Sequence, residues 1–263
     1  MTAAAISWLP FLDELADSAD AIALAHFRAP GLSSELKPDE SPVTLADRGI
    51  ESAIRLAVRR RHPELGVLGE EEGETGTHQS RLILDPIDGT RNYLRGIPVF
   101  ATLLAVEEDG EVVAGMVSAP AMGLRWHAAR GAGAWCGSRR LMVSAVAPLA
   151  GATLFHSSIG GRAEGNPLPA LHRLAAAVAR TRGFGDFYQH LLVAEGAGEI
   201  AVDPTMRPWD IAALLVIVEE AGGRCTTLAG ERTIYGGSLI STNGLVHDEV
   251  IEILSHARPD RSR

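Results

Sequence analysis

Arg81-Leu82-Ile83-Leu84-Asp85-Pro86-Ile87-Asp88-Gly89-Thr90 is the stretch on which the reading of this chain turns. Leu82 to Leu84 form a short apolar run, the pattern of a buried strand, and Asp85 places a carboxylate at its C-terminal end. Pro86 removes a backbone donor and stiffens the turn. Asp88 follows three residues later and can face the same point as Asp85. Gly89 permits close backbone approach, and the N–H groups of Gly89 and Thr90 are placed to open a helix and point at an anion. One turn thus offers two carboxylates for cations and two amides for phosphate. That combination suits phosphoryl transfer, where catalysis is mostly positioning and charge stabilisation.

Two further acidic motifs flank this stretch. Gly69-Glu70-Glu71-Glu72-Gly73 lies before it and Trp209-Asp210-Ile211-Ala212-Ala213 well after it. Taken singly, each has an ordinary explanation: a Glu triplet between glycines is a solvated turn, Asp-Gly after a strand is a turn, and an Asp at a helix start is a cap or dipole partner. Their occurrence together points instead to a cluster of hard-cation ligands, because Mg²⁺ takes oxygen donors and lowers the pKa of a bound water.

Around these motifs the periodicity predicts helices over Trp8–Phe27, Leu45–Arg61, Leu168–Arg180, His190–Ala197, Trp209–Ala221 and His247–Ser255. Ile50, Ala53, Ile54, Ala57 and Val58 are expected on the inner face of the second. A hairpin is predicted for Phe100–Val106 and Val112–Ser118 around Glu108-Asp109-Gly110. Short strands are expected near Arg125–Ala129, Ala134–Cys136, Met142–Ser144 and Ile200–Val202, and a polar loop over Gly31–Pro42. The first half reads as α+β and the second as α/β, with a soft boundary near Ser144–Gly151.

The bulk properties narrow the partners. Of 263 residues, 46% are hydrophobic and 22% charged, as in a soluble globular protein of one domain or two tightly joined halves. A net charge of −9 disfavours nucleic acid and anionic membranes, but not a phosphorylated metabolite, because bound cations reverse the local sign. The two cysteines, Cys136 and Cys225, form no CxxC pair and fit a reducing cytoplasm. The N-terminus shows no signal-peptide pattern, and no run of 18 apolar residues predicts a membrane span.

Together the motifs resemble the inositol monophosphatase superfamily. Its GEE, DPIDGT and WDxAA elements are matched by Gly69-Glu70-Glu71, Asp85–Thr90 and Trp209–Ala213, the last followed by Glu220-Ala221-Gly222-Gly223; its upstream S-P-x-T-x-A-D element is matched by Ser41–Asp47. The resemblance implies a layered α-β-α-β-α sandwich, α/β and α+β in class, usually dimeric. The halves would be 1–145, carrying most metal ligands, and 146–263, carrying Asp210 and the specificity segments. It implies two or three Mg²⁺ ions held by Glu70, Asp85, Asp88, Asp210 and the Ile87 carbonyl. Asp47 and Thr90 would pair to activate the attacking water, with Glu70 as a further catalytic carboxylate, and the Gly89 and Thr90 amides would hold phosphate. Attack by water would be direct and in line.

Gly183-Phe184-Gly185-Asp186-Phe187-Tyr188-Gln189-His190, Trp126–Gly131, and Asp88–Tyr93 leading into Gly96-Ile97-Pro98 resemble the histidinol-phosphate phosphatase branch. Histidinol phosphate carries an ammonium and an imidazole, so its site needs acceptors beyond the metal cluster. Asp186 and Asp203 are the candidates, alongside Asp88 and Asp210; a helix N-cap is the other reading of Asp186. Glu195 is expected to be a structural partner and His190 a packed core histidine. Inositol monophosphatase or broad small-metabolite phosphatase activity stays open, as does a phosphometabolite-binding protein without turnover.

Overall fold

A computed structural model describes residues 2–30, 33–36, 42–76, 79–157 and 168–255. Five layers stack in the order helix, sheet, helix, sheet, helix, as the resemblance implies. The first holds α2 (Leu9–His26) and α3 (Leu45–Arg61), preceded by a short α1 (Thr2–Ser7). Phe11, Leu12, Leu15, Ala19 and Ala23 of α2 meet Ile50, Ile54 and Val58 of α3, and both helices bury these faces on the sheet beneath.

That sheet has eight strands in the order β10-β9-β8-β7-β6-β5-β3-β4. They are β3 (Gly66–Gly69), β4 (Gly73–Thr75), β5 (Ser80–Asp88), β6 (Ala101–Glu108), β7 (Glu111–Ala119), β8 (Leu124–Ala129), β9 (Gly133–Cys136) and β10 (Arg139–Arg140). Among the described strands of this sheet, only β3 and β5 pair in parallel. The predicted strand at Arg81–Asp85 and the hairpin are present, each slightly longer than the sequence suggested. A short α4 (Thr90–Leu94) follows β5.

The middle layer holds α6 (Asp186–Ala194) and α7 (Pro208–Glu220). Eight consecutive residues of α7, Ile211 to Val218, are buried, because a helix between two sheets has no solvent face. Below lies a five-stranded sheet ordered β12-β11-β13-β15-β14: β11 (Thr153–His156), β12 (Arg180–Gly183), β13 (Ile200–Asp203), β14 (Arg224–Thr226) and β15 (Leu239–Thr242). β11 runs parallel to both neighbours. The last layer pairs α5 (Leu168–Ala177) with α8 (His247–Ser255), and Leu171, Leu174, Val250 and Leu254 cover this sheet.

Some local readings change. The segment expected to be a loop contains a two-stranded ribbon, β1 (Ser34–Leu36) on β2 (Pro42–Thr44); Lys37 and Ser41 lie outside the described residues. Met142–Ser144 is not a strand, because the chain there crosses between the sheets and the Val143 N–H is taken by the Ala221 carbonyl, 3.0 Å away. α5 stops at Ala177, and Arg180 opens β12 instead of closing the helix. α6 starts four residues before His190, at Asp186, whose backbone takes a positive φ of 50° to make the entry. Both structural expectations for α6 hold: His190 is fully buried with Nδ1 2.8 Å from Ser241 Oγ, and Glu195 accepts the Trp126 indole N–H at 2.6 Å.

Candidate metal and phosphate site

The site forms where β5 ends. In a regular strand residues three apart face opposite sides of the sheet. Here the pairing with β6 slips: Asp85 is opposite Leu103 but Asp88 is opposite Ala101, so β5 carries one extra residue. This bulge turns Asp88 onto the same side as Asp85, a re-aiming that bulges beside active sites often perform. Thr102 fixes it by donating its hydroxyl to the Pro86 carbonyl at 2.8 Å.

The other candidate ligands arrive from neighbouring elements. Parallel pairing sets Gly69 beside Leu84, and the Glu70 N–H reaches the Leu84 carbonyl at 3.2 Å, so the β3–β4 turn places Glu70 next to Asp85. Asp210 sits in the first turn of α7, where its Oδ2 accepts the Arg207 N–H at 2.7 Å. The capping role expected of such an Asp is present, and it leaves Asp210 facing the cluster.

Asp85, Asp88 and Asp210 bring one carboxylate oxygen each within 4.8 Å of one another. Burial raises the pKa of all three, and mutual repulsion with Glu70 adds to it: Asp85 and Asp88 go well above the usual carboxylate range, Asp210 to about 7. Asp85 Oδ1 is buried without a hydrogen-bond partner. Packed anions with an orphaned acceptor cost free energy unless a cation joins them. An all-oxygen donor set suits a hard cation, so the residues fit the metal that the sequence implies.

Asp47 is fully buried at the start of α3, where Oδ2 accepts the Thr44 N–H at 2.8 Å in a capping box. Its Oδ1 has no partner, and Glu70 is a charged neighbour. Its expected pairing with Thr90 is not formed: the Thr90 hydroxyl donates to the Ile87 carbonyl, three residues back, at 2.9 Å. Gly89 precedes α4 with φ +84°, so the Thr90 N–H lies among the open donors of a first turn.

α6 meets the cluster end-on. Asp88 Oδ2 accepts the Phe187 N–H at 2.6 Å, and Asp186 is a charged neighbour of Asp88. Asp186 Oδ2 in turn accepts from Asn92 Nδ2 at 3.0 Å. Asp203, at the end of β13, accepts weakly from Gln189 Nε2 at 3.4 Å and is a charged neighbour of both Asp186 and Asp210. Burial raises Asp186 to about 6 and Asp203 to about 7. Asp186 heads the helix but is not its N-cap, which is Gly185. The segment from Gly160 to Pro169, expected from the sequence to wall the pocket, lies outside the described residues as far as 167.

Sequence reasoning passed over Asn92, and also Glu51 and Arg55 of α3, both buried. Asp47, Glu51 and Arg55 recur every four residues among the buried apolar positions of α3, and that charged stripe was the available signal.

A five-layer α/β sandwich with an acidic cluster at a bulged strand end defines a class: phosphoric monoester hydrolases that work through bound cations. Comparison with known proteins agrees. The profile of the inositol monophosphatase family matches residues 7–258. A histidinol-phosphatase of Mycobacterium tuberculosis is 49% identical over 92% of this chain and 95% of its own length. Another, of Streptomyces coelicolor, is 43% identical over 92% and 94%. The solved structure of a Thermotoga maritima IMPase superposes with a TM-score of 0.86 at 31% identity, covering 95% of this chain and 98% of its own. The chain belongs to the inositol monophosphatase family.

Proposed function

We propose that this protein hydrolyses L-histidinol phosphate to L-histidinol and phosphate, as a Mg²⁺-dependent step of histidine biosynthesis. The observation that carries the substrate choice is the pair of carboxylates beyond the metal cluster. Asp186 and Asp203 stand beside Asp88 and Asp210 and offer acceptors to an ammonium and an imidazole. The similarity to histidinol-phosphatases of Mycobacterium tuberculosis and Streptomyces coelicolor supports the same substrate.

Glu70, Asp85, Asp88, Asp210 and the Ile87 carbonyl would hold two or three Mg²⁺ ions, which supply Lewis acidity and a water acidic enough to attack near neutral pH. The chain's own groups do the rest. The Gly89 and Thr90 amides hold the phosphate. Asp47, with its free Oδ1, and Glu70 orient the attacking water and take its proton. Thr90 joins them once its hydroxyl leaves the Ile87 carbonyl. Asp186 and Asp203 orient the amino alcohol. The division into 1–145 and 146–263, a homodimeric state and a cytoplasmic setting belong to the same reading.

The deciding measurement is kcat/KM for L-histidinol phosphate against myo-inositol 1-phosphate at saturating Mg²⁺. A preference of ~100-fold, about 2.7 kcal/mol in transition-state binding, is expected. A flat or reversed ratio moves the function to inositol phosphates or general monoesters, and no phosphate release at all leaves a binding protein. Within the same assay, Asp186→Asn should raise KM for histidinol phosphate at least ~10-fold while changing KM for inositol 1-phosphate little. Equal effects on both would mean that Asp186 only shapes the entry to α6.

Metal dependence also has a pH signature. Carboxyls whose folded pKa lies above the unfolded value stabilise the fold below about pH 4, and that contribution is lost as pH rises through their folded pKa, about 6 for Asp186 and about 7 for Asp203 and Asp210. His190, lowered to about 3, works the other way below its unfolded value of 6.5, so the total stability is a poor readout. The Mg²⁺-induced rise in Tm isolates the cluster. It should be several degrees larger at pH 8 than at pH 6. An increment independent of pH would argue against cations binding these carboxylates.

A further inference from the structure

We infer that Glu51 and Arg55, a buried ion pair on α3, form a positioning clamp that holds the β3–β4 turn and thereby sets Glu70 in the metal cluster; this rests on the reading of Glu70 as a metal ligand. Glu51 and Arg55 are 0% and 3% exposed, one helical turn apart. Neither touches the cluster's carboxylates among the described contacts. Their partners lie instead in the turn that carries Glu70.

Glu51 Oε2 accepts the Glu71 N–H at 2.8 Å, and Oε1 accepts the Glu72 N–H at 2.9 Å. Two successive amides directly after Glu70 are thus fixed by one carboxylate. Arg55 grips the far side of the turn: Nη2 donates to the Gly73 carbonyl at 2.5 Å and Nη1 to Thr75 Oγ1 at 2.8 Å. Its Nε and Nη2 bind Glu51 Oε1 at 2.9 and 2.7 Å, which keeps the carboxylate oriented. Gly69 completes the seat, because a Cβ there would fall inside the Glu51 carboxylate.

Ligating carboxylates depend on such supports, whose loss typically costs 10- to 100-fold in metal affinity. The turn needs one. β4 is three residues long at the edge of the sheet, and the turn has no apolar side chain to anchor it. A buried charge pair is a poor way to gain stability, since apolar residues of similar volume often serve as well or better. Its retention on α3 is accounted for by the backbone it holds.

The test is Mg²⁺ binding by calorimetry, with no substrate present, alongside kcat at saturating Mg²⁺. Glu51→Gln should weaken Mg²⁺ binding ~10- to 100-fold and also lower kcat at saturating Mg²⁺ at least about threefold, because a displaced Glu70 holds the attacking water less well. Leu174→Ala, a core truncation between α5 and the five-stranded sheet, serves as a control for general destabilisation and should leave Mg²⁺ affinity unchanged. Unchanged affinity in Glu51→Gln, or an equal loss in Leu174→Ala, would overturn the clamp. Should Glu51→Gln fail to fold, Arg55→Lys keeps the charge but loses the fork, and must weaken Mg²⁺ binding at least about threefold. Glu70→Gln is measured in parallel. If it binds Mg²⁺ normally, both the reading of Glu70 and the clamp fail; if it is weakened while the Glu51 and Arg55 variants are not, the clamp alone fails.

Discussion

Asp88→Asn should lower kcat by at least ~10³, about 4 kcal/mol of lost transition-state stabilisation, in a protein that still folds. The two halves of this expectation come from two separate roles of one side chain. Oδ2 accepts the Phe187 N–H at 2.6 Å, and an amide oxygen can take that bond unchanged, so the entry to α6 survives. What disappears is a charge from a cluster whose members already repel one another. Removing it should leave the metal-free protein as stable as wild type or more stable at pH 8, the familiar opposition between stability and function. Activity should depend on that charge, because Asp88 supplies one of three carboxylate oxygens that lie within 4.8 Å of one another. Thermal melting without Mg²⁺ and kcat with saturating Mg²⁺ separate the two effects. More than a tenth of wild-type kcat would remove Asp88 from its role.

The contrast between Asp88 and Glu51 shows what a linear sequence makes legible. Asp85, Asp88, Gly89 and Thr90 act within a single turn, so their spacing alone announces a shared site. Even there the sequence does not display the bulge that makes the geometry work; it shows only that Pro86 stiffens the place where the bulge occurs. Asp210 is recognisable by its motif, yet its position depends on α7 lying between the two sheets. Glu51 and Arg55 were hidden by a rule that is usually sound: charged residues in an amphipathic helix belong to the wet face. Asn92 was hidden because its partner Asp186 lies in the other half of the chain. The β3–β4 hairpin escaped because its strands are short, glycine-bounded and held from outside by α3, without a period-two pattern of their own. In each case the signal exists only once distant elements are packed together.

Gly89→Ala tests the phosphate end of the site with the same separation of causes. At φ +84° any side chain is strained, by ~1–2 kcal/mol. A Cβ here would also stand 2.9 Å from the Val99 carbonyl and 3.3 Å from Asp186 Oδ2. Neither neighbour yields cheaply: the first is backbone, and the second is tied to Asn92. The chain at 88–90 must therefore shift, and it carries the proposed metal ligand Asp88 on one side and the proposed phosphate amide of Thr90 on the other. Displacements of about 1 Å can cost ~10² in rate, so kcat/KM should fall at least that far. The strain alone should lower Tm by only a few degrees. Gly110→Ala separates the two contributions: Gly110 has φ +80°, nearly the same backbone strain, but a Cβ there meets nothing within 4 Å. It should lower Tm by a similar strain cost and leave kcat/KM at the wild-type value. Were Gly89→Ala to behave like Gly110→Ala, the close approach at Gly89 would be a matter of turn conformation alone, and the phosphate would have to be held elsewhere.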